Sequence, residues 1–181
     1  CIDNMLYTDK IDDWNWIDAL QMAMPVFARI GSIYKDDKYF NRMYEMYLYT
    51  KQLHGSDGLY NTMDHLWWRD ADFDPPYKEP NGEDCYWSRG NGWVLAALVR
   101  TIDFLPADSP YKTEFLTVYR EMVDALVACQ RDDGFWNVSL HDDSNYGGKE
   151  LTGTSLFVYG IAWGINNGIL DRGRYEPIVK K

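Results

Sequence analysis

The chain has 181 residues, a formal net charge of −10 and an aromatic content of 16%. The length predicts a single domain with enough chain to bury a large core. The acidic charge argues against a nucleic-acid partner, which requires a basic surface, and no apolar run approaches the roughly 18 residues of a membrane span. The first residues do not show a basic segment followed by an apolar one, so no secretory leader is predicted.

Hydrophobic periodicity predicts an almost entirely helical chain. The expected helices lie at residues 13–30, 37–53 and 91–105, from Ser109 to a stripe ending at Cys129, at 152–166, and from about Arg174. Asp36 and Ser109 are the predicted N-caps of the second and fourth helices, with Pro110 at the first position of the fourth. The Gly31-Ser32 pair is expected to end the first helix.

The lengths of the connections group these helices into three hairpins. Links within a pair are short, whereas residues 55–87 and 132–151 form long loops between pairs. The first, third and fifth helices are rich in apolar and small residues, including Gly160 and Gly164, which predicts buried inner and solvated outer helices of a toroid or solenoid. Both long loops and the starts of the inner helices would then share one end, where helix N-termini favour anions.

The segment Trp87-Ser88-Arg89-Gly90-Asn91-Gly92-Trp93 combines two indoles, a guanidinium and two glycines. Indole faces bind sugar C–H groups, arginine pairs with carboxylates, and glycine allows a ligand to approach the main chain. The segment therefore indicates a pocket for an acidic sugar. The alternative, in which both tryptophans pack in the core and Arg89 pairs with a structural acid, remains open.

Asp18 is the candidate general acid. Met22 and Val26 make its side of the predicted helix apolar, and a carboxyl group in a partly dry cleft has a raised pKa and can hold a proton near neutral pH. The alternative is an aspartate that stabilises the start of the helix. Asp12 and Asp13 are better placed for that duty.

His65 is a further candidate in the first long loop, although a lone loop histidine is more often structural. The acidic groups at 70–74 and 142–145 lack the glycine and closing glutamate of a calcium loop, and three scattered cysteines do not make a zinc site or a disulfide framework. No metal site is therefore predicted. The chain has no phosphate loop or dinucleotide fingerprint, so no cofactor is predicted either.

Three motifs resemble those of glycoside hydrolase family 105, the unsaturated rhamnogalacturonyl hydrolases, which are related to the unsaturated glucuronyl hydrolases of family 88. They are Trp14-Asn15-Trp16-Ile17-Asp18-Ala19-Leu20 with Met22-Ala23-Met24-Pro25, then Trp87 to Trp93, then Gly153-Thr154-Ser155-Leu156-Phe157 with Tyr159. The likeness runs through essentially the whole chain. It implies an all-α (α/α)6 barrel, a six-hairpin toroid, of which residues 1–181 would be the central-to-C-terminal half of one catalytic domain, a fragment.

The same resemblance implies the chemistry. The substrate would be a pectin-derived (rhamnogalacturonan) oligosaccharide whose non-reducing end is a 4,5-unsaturated uronic acid left by a polysaccharide lyase. Asp18 would act as general acid and base in a vinyl-ether hydration that needs no metal and no nucleotide. The substrate-binding residues would be Trp16, His65, Trp87, Arg89 and Trp93.

Two other functions remain open. A sugar epimerase or isomerase on a similar barrel typically needs several histidines around its pocket, and this chain has His54, His65 and His141. A non-catalytic carbohydrate-binding toroid would keep the aromatics and lose the chemistry. The resemblance does not fix the compartment, cytoplasmic or periplasmic. Half a barrel would expose an apolar edge, so self-association or a missing N-terminal segment is expected.

Overall fold

The computed structural model describes Lys10 and residues 12–181. Its helices are α1 (Asp18–Tyr34), α2 (Asp37–Gln52), α3 (Ser88–Ile102), α4 (Lys112–Ala128), α5 (Leu151–Asn166) and α6 (Arg172–Lys180). A small antiparallel hairpin of β1 (Tyr60–Asn61) and β2 (Leu66–Trp67) pairs Tyr60 with Trp67. Within these described residues, no helix is both long enough and apolar enough to cross a membrane.

Three helices form the centre of the fold. Helix α3 packs against both α1 and α5, and each of the three also packs against the helix that follows it in the chain. Most of α3 is buried, and one continuous hydrophobic core extends across all three hairpins. The prediction of inner helices α1, α3 and α5 with outer partners is confirmed, and so is the all-α fold class.

The starts of the three inner helices meet at one end of the molecule. A methyl group placed on Gly90 at the start of α3 would lie 2.8 Å from Cδ1 of Ile17, which precedes α1. One placed on Gly153 of α5 would lie 2.7 Å from Cβ of Ser88. The second long loop is also at this end, because the Ser88 N–H donates to the Val138 carbonyl at 2.9 Å. The predicted common end is therefore confirmed.

Both predicted boundaries of α1 are wrong. The helix starts at Asp18, because the Ile17 N–H is bonded to the Arg69 carbonyl at 3.1 Å and the preceding residues run along the first long loop. It also continues through Gly31 and Ser32. It ends at Tyr34, and the next residue, Lys35, has a left-handed conformation with φ of 53°.

Two other helix starts differ from prediction. Helix α3 begins at Ser88 and ends at Ile102, so the glycine segment forms its first turn. Helix α4 begins at Lys112, and Ser109 instead accepts a hydrogen bond from the Tyr111 N–H at 3.4 Å in the turn before the helix. The cap of α2 is confirmed, since Asp36 accepts from the Lys38 N–H at 3.1 Å.

One apolar face of the inner helices is exposed, so these helices are not buried on every side, and the exposed apolar edge expected of half a barrel is present. On α1, Met22, Val26 and Ile33 are exposed, and on α5 so are Leu151 and Tyr159. A cavity of about 480 Å³ lies on this face towards the far ends of α1 and α3, with Arg29 and Arg100 in its wall.

Close packing of α5 on α3 depends on Gly160. A methyl group there would lie 2.5 Å from Cδ2 of Leu95, a fully buried side chain. We expect Gly160→Ala to lower the free energy of unfolding by about 1–3 kcal/mol, since overpacking outweighs the gain in helix propensity. Urea denaturation measures the change.

The matched control is Gly173→Ala on the exposed side of α6, where the nearest atom would be an Asp171 side-chain oxygen at 3.3 Å. It should change the free energy of unfolding by less than about 1 kcal/mol. Equal losses in the two variants would contradict the packing assigned to Gly160.

Candidate active site at the starts of the inner helices

The glycines of the Trp87–Trp93 segment bring helices together. Gly90 faces Ile17, and a methyl group there would also lie 3.8 Å from Oδ1 of Asp18. Gly92 faces α5, where a methyl group would lie 3.0 Å from Cβ of Leu156. The interpretation that these glycines admit a ligand to the main chain is therefore wrong, because both positions are filled by neighbouring helices.

Asn91, between the two glycines, ties α3 to the first long loop. Its Oδ1 accepts from the Trp67 N–H at 2.9 Å, and its Nδ2 donates to the Trp67 carbonyl at 3.0 Å and the Trp87 carbonyl at 3.1 Å. The side chain is fully buried, so leaving these groups unpaired would be costly. This amide holds strand β2 against the start of α3.

Asp18 lies at this junction, in the first turn of α1 and partly buried. Burial raises the pKa of its carboxyl group, while the charges of Arg89 and Arg69 and its own backbone N–H oppose the rise and Asp70 adds to it. The expected direction of the pKa is thus confirmed. The predicted contribution of Met22 and Val26 to that burial is wrong, since both are exposed, and Asp18 itself takes the helix-start position.

Arg69 and Asp70 also belong to the site, although neither was predicted to have a role there. The Arg69 Nε donates to Oδ2 of the buried Asp70 at 2.6 Å. The guanidinium lies 4.2 Å from the Phe73 ring centroid and 5.0 Å from that of Trp16. The signal in the sequence is the Arg–Asp pair beside an indole in Trp68-Arg69-Asp70, whereas Asp70 was predicted only as part of an acidic group.

Aromatic side chains continue from Arg69 across the mouth of the site. Phe73 contacts Trp87 with ring centroids 6.0 Å apart, and Trp87 contacts Tyr146 of the second long loop at 4.7 Å. We call Trp16, Phe73, Trp87 and Tyr146 the aromatic row. Its two ends are open to solvent, since Trp16 is 49% exposed and Tyr146 42%.

The predicted site residues are thus only partly brought together. Asp18, Arg89, Trp16 and Trp87 share this mouth directly or through Arg69 and the aromatic row. His65 instead contacts Tyr60 and Glu121, with its Nδ1 at 3.3 Å from the tyrosine hydroxyl and 3.6 Å from the carboxylate. Trp93 is half-buried in α3.

The acidic loop groups accept hydrogen bonds from the backbone. Asp74 accepts from the Ser56 N–H at 2.7 Å, and Asp142 accepts from the Ser144 N–H at 2.9 Å. Among the described residues, no cluster of histidine, cysteine, aspartate and glutamate side chains could hold a metal ion.

Comparison with known proteins assigns the chain to a family. The family model described as Glycosyl Hydrolase Family 88 matches residues 3–181. The chain belongs to this family. It is 36% identical to an unsaturated 3S-rhamnoglycuronyl hydrolase of Formosa agariphila over 93% of its own length and 45% of that protein's. It is 26% identical to an unsaturated rhamnogalacturonyl hydrolase of Bacillus subtilis, with 72% and 36% covered.

Solved structures share the fold of this chain. A family 88 glycosyl hydrolase from Bacteroides vulgatus is 37% identical, with a TM-score of 0.93 over 99% of this chain and 50% of that one. A structure described as a polysaccharide lyase is 34% identical, with a TM-score of 0.92 over 99% and 49%. A family 105 hydrolase from C. acetobutylicum shares the fold at 22% identity and a TM-score of 0.73, with 91% and 46% covered. This family 88 chain spans about half the length of these relatives.

The raised pKa of Asp18 has a consequence for stability. Because the carboxyl group ionises less readily in the folded chain, its contribution is greatest below the unfolded pKa of about 3.9 and is lost as pH rises through the folded pKa. Asp18→Asn cannot ionise and should therefore be more stable than the unmodified chain near pH 7. The gain should vanish near pH 3, as urea denaturation at the two pH values can measure.

The control is Asp12→Asn, which makes the same chemical change at an exposed residue before the helix. A similar gain in that variant would assign the effect to the net charge of −10 and not to the site of Asp18. A loss of stability in Asp18→Asn near pH 7 would contradict the environment described for Asp18.

Proposed function

We propose that this family 88 chain is the catalytic half of an unsaturated uronyl hydrolase, with Asp18 as general acid and base. The observation that carries the proposal is the half-buried carboxyl group of Asp18. Burial raises its pKa, and the positive charges of Arg89 and Arg69 lower it. An acid that must give up and regain a proton in one turnover works best when its pKa approaches the working pH.

The substrate proposed is an oligosaccharide with a 4,5-unsaturated uronic acid linked to rhamnose. Two relatives at 36% identity are named unsaturated 3S-rhamnoglycuronyl hydrolases, and another at 26% is named an unsaturated rhamnogalacturonyl hydrolase. The first pair favours a rhamnose of the 3S-rhamnoglycuronyl type over the pectin-derived partner suggested by the motifs. The aromatic row provides the faces on which such sugars stack.

In the proposed reaction the enol ether of the unsaturated ring is hydrated. Asp18 protonates C4, so the double-bond electrons form the new C–H bond and positive charge is shared by C5 and the ring oxygen. The ionised Asp18 then takes a proton from water as the water oxygen bonds to C5. The resulting hemiketal opens, and the sugar leaves as a keto-aldehyde with the glycosidic oxygen retained by the partner sugar.

The local charges suit an acidic substrate despite the acidic chain. When Asp18 is protonated, Arg69 and Arg89 face the single negative charge of Asp70. The site is then locally positive, although the chain carries −10 overall. The site therefore attracts the carboxylate of a substrate when Asp18 is protonated, and the first step requires this protonated form.

A polysaccharide lyase is the second candidate, because one structure at 34% identity has that description. The two activities change the ultraviolet absorbance of the unsaturated uronate in opposite directions. A lyase acting on intact polysaccharide creates the unsaturated ring and raises the absorbance. The hydrolase proposed here acts on lyase-digested polysaccharide and lowers it.

The experiment follows this absorbance with the 181-residue chain and lyase digests of rhamnogalacturonan and of a rhamnose–uronate polysaccharide of the 3S-rhamnoglycuronyl type. We expect the absorbance to decay, faster with the second digest. Asp18→Asn should slow the decay about a hundredfold or more, the usual effect of removing a general acid.

Asp12→Asn is the matched control and should keep the unmodified rate, because its side chain is exposed and lies before α1. Equal decay in the unmodified and Asp18→Asn chains would contradict the role of Asp18. No decay with either digest, or a rise with intact polysaccharide, would contradict the proposed hydrolysis.

A further inference from the structure

Arg69 is held in one orientation by three neighbours. Its Nε donates to Asp70 at 2.6 Å, and its guanidinium lies between the rings of Phe73 and Trp16. Asp70 is itself fixed, since it is only 4% exposed and its other oxygen accepts from the Asp72 N–H at 3.0 Å. Little conformational freedom remains for Arg69 to lose when a ligand binds.

The outer edge of this guanidinium is available. An arginine side chain has five N–H donors, of which the Nε carries one. In the part of the chain that the structure describes, the two Nη groups of Arg69 make no hydrogen bond, and its side chain is 26% exposed. Four N–H donors in a planar fork suit the two oxygens of one carboxylate.

Arg69 also lies beside the proposed acid. Its backbone carbonyl accepts from the Ile17 N–H at 3.1 Å, and Asp70 pairs through its backbone with Trp16, so the arginine and the start of α1 form one unit. The charge of Arg69 acts on the carboxyl group of Asp18. A ligand group bound by Arg69 would therefore be placed next to Asp18.

We propose that Arg69 binds the carboxylate of the uronic acid through its Nη groups. This inference rests on the proposed function, because it takes the substrate to be a uronate. Binding the carboxylate on C5 at a fixed arginine turns the neighbouring C4 towards Asp18. Arg69 thus selects acidic over neutral sugars and orients the one it binds.

The test compares galacturonate with galactose, which differ in a carboxylate at C6, by nuclear magnetic resonance titration of the tryptophan indole N–H signals. The unmodified chain should bind galacturonate at least about tenfold more tightly than galactose. Arg69→Gln should remove this preference and leave galactose binding unchanged. Arg69→Lys should retain part of it, because the charge remains but the planar fork is lost.

Two further variants separate binding from folding. Arg69→Gln combined with Asp70→Asn avoids a buried unpaired carboxylate and should show the same loss of preference as Arg69→Gln. Arg131→Gln removes an arginine that is likewise paired with a nearby aspartate, Asp133 at 3.0 Å, and should keep the preference of the unmodified chain.

The outcomes are distinct from those of the absorbance assay. No preference for galacturonate in the unmodified chain, a preference that survives in Arg69→Gln, or equal weakening of both sugars would overturn the role of Arg69. The two assays can also disagree. If Arg69→Gln removes the preference for galacturonate but the unmodified chain leaves the absorbance unchanged, the carboxylate site is supported and the proposed hydrolysis is contradicted.

Discussion

The whole site depends on how closely the start of α3 approaches its neighbours. Because Gly90 and Gly92 have no side chains, Ile17 and Leu156 lie directly against the start of α3, and the Asn91 amide holds strand β2 against the same turn. Because these contacts come from consecutive residues, α1, α5 and the first long loop are positioned by one turn of helix. Asp18 and Arg69 lie on the elements that this turn brings together.

That construction explains why an acidic group and two arginines can share a small space. Burial disfavours the ionised form of Asp18 and raises its pKa, whereas Arg89 and Arg69 favour the ionised form. Burial and the two arginines thus act in opposite directions on the pKa of the one carboxyl group that is proposed to serve as both acid and base. Asp70 pairs with the charge of Arg69 and fixes the orientation of its guanidinium group, so the arginine can orient a ligand as well as attract it.

The helical hairpins and the common end were predictable because apolar periodicity and link length are local properties of the sequence. The start of α1 could not be predicted in this way, because it is set by a hydrogen bond between Ile17 and Arg69, which are far apart in the chain. The β1–β2 hairpin was missed because two-residue strands carry no detectable alternation. The resemblance of the motifs to a known family indicated Asp18 and Arg89 as site residues. The proposed role of Arg69 follows only from its contacts in the structure.

The most direct test of this account is a crystal structure of the Asp18→Asn chain with an unsaturated uronate–rhamnose disaccharide. The account predicts C4 of the unsaturated ring within about 3.5 Å of the side chain at position 18, and the carboxylate on the Arg69 guanidinium. A sugar bound instead in the cavity of about 480 Å³ near Arg29 and Arg100, or one with C4 turned away from position 18, would contradict it.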